Sequence, residues 1–199
     1  MNLRESMQAI LAAESKAIAE IPYTEGYDKA VQLIVEHVAG RGGKLVTSGM
    51  GKAGQIALNI ATTFSSTGIP AVNLHPSEAQ HGDLGVLQPN DVMLLVSNSG
   101  RTREIIDLVE LARNLYADIP LIVISGNAES PLAKLADASL VTAAAPEVCP
   151  LGLTPTTSTT MMTVIGDILV VNVMNETGFT RADYAKRHHG GYLGTKSRR

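Results

Sequence analysis

The chain has 199 residues, 45% hydrophobic and 18% charged, with a net charge of −3 and 18 glycines; that length fits one core, and the composition excludes a disordered chain or a coiled coil. There is no tryptophan, and the few tyrosines and phenylalanines exclude a surface that stacks sugars or single-stranded bases on exposed rings. Cys149, the one cysteine, cannot pair within the chain, which points to a reducing compartment.

Leu3, Met7, Ile10, Leu11 and Ile18 recur at helical spacing, and Pro22 stops that first predicted helix. Tyr27, Val31, Ile34, Val35 and Val38 mark a second, closed by Gly40, Gly42 and Gly43. The pattern then changes to short apolar strands over 44–48, 70–74, 92–97, 121–125 and 139–141. Helices are expected over 52–66, 102–117 and 131–136, and a long buried one over 157–175 covers the sheet. Strand–helix alternation with continuous apolar strands predicts an α/β fold, a three-layer, doubly wound sandwich on a five-stranded parallel sheet. The expected organisation is one domain: N-terminal helices over 1–43, an α/β core over 44–177 and a C-terminal tail over 178–199. Ligands in such folds sit beyond the carboxyl ends of the strands, which directs attention to the loops after Ser48, Leu74, Ser97 and Val141.

Charge is unevenly placed. Residues 1–180 carry 10 Lys and Arg against 18 Asp and Glu, whereas Arg181, Lys186, Arg187, Lys196, Arg198 and Arg199 face Asp183 alone in the tail. That basic tail is short and broken by Gly190, Gly191 and Gly194, so no nucleic-acid role is read from it. MNLRESMQAI has no long apolar run, so no signal peptide is expected. The stretch 158–175 is long enough to span a membrane, but Asp167, Asn172 and its Ser/Thr content favour a buried core helix. The expectation is a soluble, cytoplasmic protein with no membrane partner.

Two loops carry anion-binding patterns. Gly49-Met50-Gly51-Lys52-Ala53-Gly54 follows the first strand and matches the dinucleotide fingerprint in its glycines. The acidic residue expected at the end of the second strand is absent, since that strand ends Val72-Asn73-Leu74-His75. A Walker A loop is also excluded, because Val46 and Ala53 occupy positions that need Gly and Ser or Thr. What remains is a helix start that favours an anion, with Lys52 adding charge, or else a tight turn with a surface lysine. Ser97-Asn98-Ser99-Gly100-Arg101-Thr102 ends another strand and opens a helix. Its three hydroxyls form either a phosphate cup or a set of helix caps. A neutral cup beside Lys52 suits a small phosphate ester.

With these loops, the sequence resembles the sugar isomerase (SIS) domain family and, within it, the D-arabinose 5-phosphate isomerases. The resemblance covers nearly the whole chain. It is carried by Ser48-Gly-Met-Gly-Lys52, His75-Pro-Ser-Glu-Ala-Gln-His81-Gly-Asp-Leu-Gly85 and Ser97-Asn-Ser-Gly100. Narrower signals are Glu147-Val-Cys-Pro-Leu-Gly-Leu-Thr-Pro155 and Arg187-His188-His189-Gly-Gly-Tyr-Leu-Gly194. Family members often carry a pair of cystathionine-β-synthase-type domains after this point, and the resemblance here is to the form without them. It implies interconversion of D-ribulose 5-phosphate and D-arabinose 5-phosphate, the first step toward the sugar acid Kdo in lipopolysaccharide or capsule synthesis. The other readings are a non-catalytic sugar-phosphate sensor and an isomerase of a hexulose 6-phosphate.

By that resemblance Ser97, Ser99 and Thr102 hold the phosphate, with Ser48, Gly49, Asn98 and His81 among the binding residues. Lys52, Glu104, Glu147 and His188 match the residues implicated in isomerisation, and the doubled His188-His189 leaves two candidates for the histidine that faces substrate. Moving a proton between C1 and C2 through a cis-enediol needs a base over one face of the sugar. Glu147, on an apolar loop with Val148, Cys149 and Leu151, is expected to have its pKa raised by partial burial. Glu104 in a first helical turn suits orientation of hydroxyls, and Lys52 suits the enediolate oxygen. No metal and no cofactor are required. His81 beside Asp83 either contacts substrate, binds an adventitious metal or makes a polar turn contact; His37 reads as surface and Cys149 as a small core residue. The amphipathic first helix and the apolar 157–175 helix, together with the family resemblance, predict a homotetramer in which His188 or His81 reaches a neighbouring pocket. The cations Lys186 and Arg187, with His188 and His189, are expected either to bind an anionic end product such as CMP-Kdo at the mouth of the site or to form a solvated C-terminus.

Overall fold

The computed structural model describes residues 2–198. Helices α1 (Leu3–Ala19) and α2 (Gly26–Leu33) come first, and a π-helical turn, Ile34–Gly40, prolongs α2. Then come β1 (Leu45–Gly49), α3 (Gly51–Ser66), β2 (Ala71–Asn73), the single-turn α4 (Pro76–Ala79) and a 3-10 turn at Asp83–Val86. β3 (Val92–Val96), α5 (Arg103–Leu115), β4 (Leu121–Ser125), α6 (Pro131–Leu135) and β5 (Ala138–Val141) complete the alternation. The chain closes with α7 (Thr157–Glu176), α8 (Arg181–Arg187) and α9 (Gly191–Ser197).

The five strands are all parallel, in the order β2-β1-β3-β4-β5. β1 and β3 are neighbours in register from Leu45↔Val92 to Gly49↔Val96, yet their following connections run to opposite sides. That is the topological switch point, where the loops diverge and leave a crevice at the carboxyl edge. Alternate strand residues feed two cores. Leu45, Leu94, Val96, Ile122 and Ile124 pack with Ile34, Phe64, Ile165 and Leu169 from the α2 extension, α3 and α7. Val46, Met93, Leu95, Leu121 and Val123 pack with Ile105, Leu108, Ala112 and Leu132 from α5 and α6. Each such buried aliphatic side chain contributes about 1.5–3 kcal/mol, so both faces of the sheet are strongly specified.

The three-layer sandwich matches the expectation, and strand 121–125 coincides with β4. α7 is apolar enough to cross a membrane by composition, but half of its most apolar window is buried in the protein, with Met161 and Met162 each 1% exposed. Three short helices, α4, α8 and α9, have no counterpart in the sequence reading. α8 is opened by a capping box in which Thr180 and Asp183 satisfy each other's amides. The Thr180 hydroxyl and Lys186 hold the Asp183 carboxyl down at about 2. α9 contains glycine, which weakens its helical signal, but a Cβ on Gly194 would stand 2.7 Å from the His188 carbonyl. Close approach to the preceding segment is the reason for that glycine.

Candidate active site

The first loop shows why its glycines are needed. Gly51 turns the chain at φ +57°, and a Cβ on Gly54 would stand 2.6 Å from the Gly49 carbonyl, so the start of α3 packs directly on the end of β1. No side chain caps α3, leaving its first amides facing the crevice, and Lys52 is exposed on the first turn. Gly49 and Ser48 are buried beneath them, with Ser48 Oγ donating to the Leu74 carbonyl at 2.6 Å.

The second loop is braced from behind. Gly100 has φ +59°, and a Cβ there would stand 2.0 Å from Ser130 Oγ. The Gly100 carbonyl accepts from Leu132 N–H at 3.1 Å and the Asn98 carbonyl from Gly126 N–H at 2.9 Å. Ser97 Oγ, buried, accepts from Gly100 N–H at 3.2 Å and pairs with Thr102 Oγ1 at 2.9 Å. Thr102 is the N-cap of α5, yet its hydroxyl caps no amide. Ser99 is exposed and accepts from Arg101 N–H at 3.2 Å, and Asn98 is exposed beside it. Ser97 and Ser99 thus each bond an amide of the loop itself, while the first amides of α5 have no side-chain cap. Glu104 lies half-buried on the first turn of α5.

Glu147 departs from its expected setting. Its Oε2 accepts from Thr156 N–H at 2.7 Å, Thr156 Oγ1 at 2.8 Å and Ser158 N–H at 3.3 Å, while Ser158 Oγ donates to Oε1. Burial pushes the carboxyl up, but these donors, Ser158 and Thr156 together, outweigh it and hold Glu147 below the usual glutamate range. The expectation of a raised pKa is thus corrected: the loop is apolar in sequence, but the carboxylate turns inward onto the start of α7.

That start lies level with the start of α3. A Cβ on Gly166 would stand 2.6 Å from Ile60 Cγ1, so α7 and α3 touch there. Ile60 and Gly166 stand nine residues after Gly51 and Thr157 respectively, and Gly68 just past the end of α3 meets Phe179 just past the end of α7. The two helices therefore run in the same direction, and Lys52 and Glu147 share the carboxyl edge. Cys149 is no core residue. It occupies a turn in which its Sγ accepts from Leu153 N–H at 3.2 Å and Thr154 N–H at 3.1 Å. Burial raises the thiol, but those amides, Thr154 first, outweigh it and leave it below its ordinary value.

The tail is anchored elsewhere. Phe179 and Arg187 lie against Gly68, in the turn that leads from α3 into β2, and thus at the amino edge of the sheet. His188 stacks on Tyr184 with ring centroids 3.7 Å apart, and Tyr184 meets Phe179 edge-on at 6.5 Å. His189 is exposed. Within one chain, the tail histidines and the loops after β1 and β3 belong to opposite ends of the sheet. His81 is exposed in the segment after β2, and His37 is half-buried with an unpartnered Nδ1 rather than a surface group. Among the described residues no cluster of three or more His, Cys, Asp or Glu could hold a metal ion. Thr156 and Ser158 were missed in the sequence, where Thr156-Thr157-Ser158-Thr159-Thr160 reads only as a helix start.

Residues 39–172 match the family model of the SIS domain. The chain belongs to the SIS-domain family. A protein of Bacteroides fragilis NCTC 9343, assigned to phosphosugar isomerisation in capsule formation, is 63% identical to this SIS chain with a TM-score of 0.95, covering 96% of this chain and 100% of that one. A protein of Escherichia coli CFT073, solved in complex with arabinose 5-phosphate, is 33% identical with a TM-score of 0.85, covering 94% of this chain and 100% of that one. Arabinose 5-phosphate isomerase KdsD of Escherichia coli K12 is 42% identical over 195 residues, which is 98% of this chain. The SIS chain spans 58% of the length of that relative.

Proposed function

We propose that the protein is an aldose–ketose isomerase interconverting D-ribulose 5-phosphate and D-arabinose 5-phosphate. The observation that carries this reading is a hydroxyl loop, Ser97 to Thr102, that leads into a helix start with no side-chain cap at the switch point, with Lys52 and Glu147 at the same edge. Identity to KdsD over 98% of the chain, and to a protein solved with arabinose 5-phosphate over 94%, supports the pentose phosphate as substrate.

In this reading Ser97, Ser99 and Thr102, with the first amides of α5, hold the phosphate; Ser48, Gly49 and Asn98 shape the floor and rim. Glu147 carries the proton between C1 and C2 through the cis-enediol, Lys52 stabilises the enediolate oxygen and Glu104 orients hydroxyls. The donors on Glu147 keep it ionised at neutral pH, ready to accept a proton. No cofactor is invoked. His188 or His81 reaches a neighbouring subunit's pocket, and for His188 the reason is that the tail lies at the other end of its own sheet. Exposed apolar residues on α1 (Leu3 at 86%, Leu11 at 55%) and a groove of about 1000 Å³ between α1, α2 and α7 support assembly, for which we assign a homotetramer. In that assembly Lys186, Arg187 and His189 face the mouth of a neighbouring site and receive an anionic end product such as CMP-Kdo. The setting is a soluble cytoplasmic enzyme supplying Kdo for capsule or lipopolysaccharide.

The deciding experiment incubates the purified protein with a panel of pentose and hexose phosphates and reads products by NMR. Arabinose 5-phosphate formed from ribulose 5-phosphate supports the reading; turnover of hexulose 6-phosphate alone, or of nothing in the panel, overturns it. Inhibition by CMP-Kdo that weakens with salt supports the end-product site, because charge attraction is screened within about 8–10 Å at physiological ionic strength.

A further inference from the structure

Thr156 is the N-cap of α7, but its side chain caps no amide of its own helix. Instead the hydroxyl is fixed at both ends: it accepts from Val148 N–H at 3.1 Å and donates to Glu147 Oε2 at 2.8 Å. Its own N–H adds a second bond to Oε2 at 2.7 Å, and Ser158 N–H a third at 3.3 Å. Ser158, 5% exposed, turns its hydroxyl to the other oxygen, Oε1. One carboxylate thus gathers four donors, whereas an ordinary N-cap side chain accepts from a single amide of the first turn. The distribution is unequal. A carboxylate oxygen offers about two lone-pair sites, so three donors saturate Oε2 while one leaves Oε1 half open.

We propose that Thr156 and Ser158 are positioning residues for isomerisation, holding the Glu147 carboxylate so that the remaining lone pair of Oε1 is the one that takes the proton from the sugar carbon. This rests on Glu147 being the base. In the step, the C–H bond next to the carbonyl breaks, the proton bonds to Oε1, the released electron pair forms the C1=C2 double bond, and the carbonyl π pair moves onto the carbonyl oxygen to give the enediolate. Return of that proton to the adjacent carbon, with proton exchange between the two oxygens, completes the isomerisation with no change of oxidation state overall. Ser158 matters most, because its hydroxyl fixes the reacting oxygen, and Thr156 fixes the plane of the carboxylate through Oε2. The same donors favour the ionised form, so their removal weakens orientation and raises the proton affinity of Glu147 together.

The variants are Ser158→Ala and Thr156→Val, with Ser158→Thr and Thr156→Ser as hydroxyl-retaining controls. Misplacing a reacting group by about 1 Å costs up to about 100-fold, so kcat of Ser158→Ala should fall about 10- to 100-fold with KM within about twofold. The controls should recover most of that loss. In protein carrying 13C-carboxyl glutamate, the resonance absent from Glu147→Gln identifies Glu147, and its titration midpoint should move to higher pH in both hydroxyl-deleted variants. That titration reads positioning even in a variant with little activity, and a melting curve sets the pH range in which each variant is folded. An unmoved midpoint with wild-type kcat in Ser158→Ala and Thr156→Val overturns the proposal while leaving Glu147 as the base. Undiminished turnover in Glu147→Gln overturns the base assignment itself, and the positioning role with it.

Discussion

Gly100→Ala perturbs the second loop in a way that can be separated into two costs. At φ +59° an alanine enters the left-handed region, which costs about 1–2 kcal/mol. The added Cβ also meets Ser130 Oγ at 2.0 Å and Ser130 Cβ at 2.4 Å, neither at the end of a flexible chain, and overpacking of this kind costs about 1–3 kcal/mol. The expected loss is therefore about 2–5 kcal/mol, a large share of a typical margin of about 5–15 kcal/mol. Gly178→Ala supplies the control, because Gly178 has φ +62° with nothing within 4 Å of a Cβ and should show the backbone cost alone, about 1–2 kcal/mol. Urea unfolding of both variants at equal ionic strength measures the difference, about 1–3 kcal/mol. Ser130→Gly removes both overlapping atoms and gives up one cap, in which Ser130 Oγ accepts from Ala133 N–H at 3.2 Å, so it should partly rescue Gly100→Ala in a double-mutant cycle. Equal losses in Gly100→Ala and Gly178→Ala, or no coupling to Ser130, would refute the claim that the loop is braced by α6.

Glu147→Gln should abolish turnover by about 10²–10⁴-fold while phosphate-ester binding survives, measured by steady-state kinetics and calorimetry. The same variant tests the pH linkage: a depressed folded-state pKa contributes stability above the ordinary glutamate value that is lost as pH falls through the folded value, so Glu147→Gln should flatten the acid side of a melting-temperature profile. Ser97→Ala with Ser99→Ala should raise KM and weaken competition by inorganic phosphate, each lost donor to a charged group being worth about 1.5–3 kcal/mol; an unchanged KM places the phosphate elsewhere. Mixed Glu147→Gln and His188→Ala chains should regain part of the activity that each lacks alone, and an active monomer by light scattering would defeat the shared site. Asp91→Ala should cost about 3 kcal/mol in urea unfolding, since Asp91 is 2% exposed and pairs with Lys44 Nζ at 2.6 Å.

Much of the architecture was legible in the sequence because it rests on local patterns. Apolar runs such as Val92–Val96 can be buried on both faces only in a covered parallel sheet, and the glycines of 49–54 and 100 mark places where the backbone must turn or touch. The two loops at the carboxyl edge followed from the same patterns, since strand ends and helix starts are adjacent in the chain. α9 was hidden because Gly190, Gly191 and Gly194 argue against helix until the close contact of Gly194 with the His188 carbonyl is seen. The charge state of Glu147 was hidden for a deeper reason. Val148, Cys149 and Leu151 describe an apolar neighbourhood in sequence, but the donors that decide its ionisation come from Thr156 and Ser158, brought near by the loop's return to α7. The tail's place at the amino edge likewise depends on Phe179 meeting Gly68, a residue far away in the chain. Periodicity and turn chemistry act over a few residues and can be read from order alone; electrostatics and packing act through space, and only the tertiary structure says what is near.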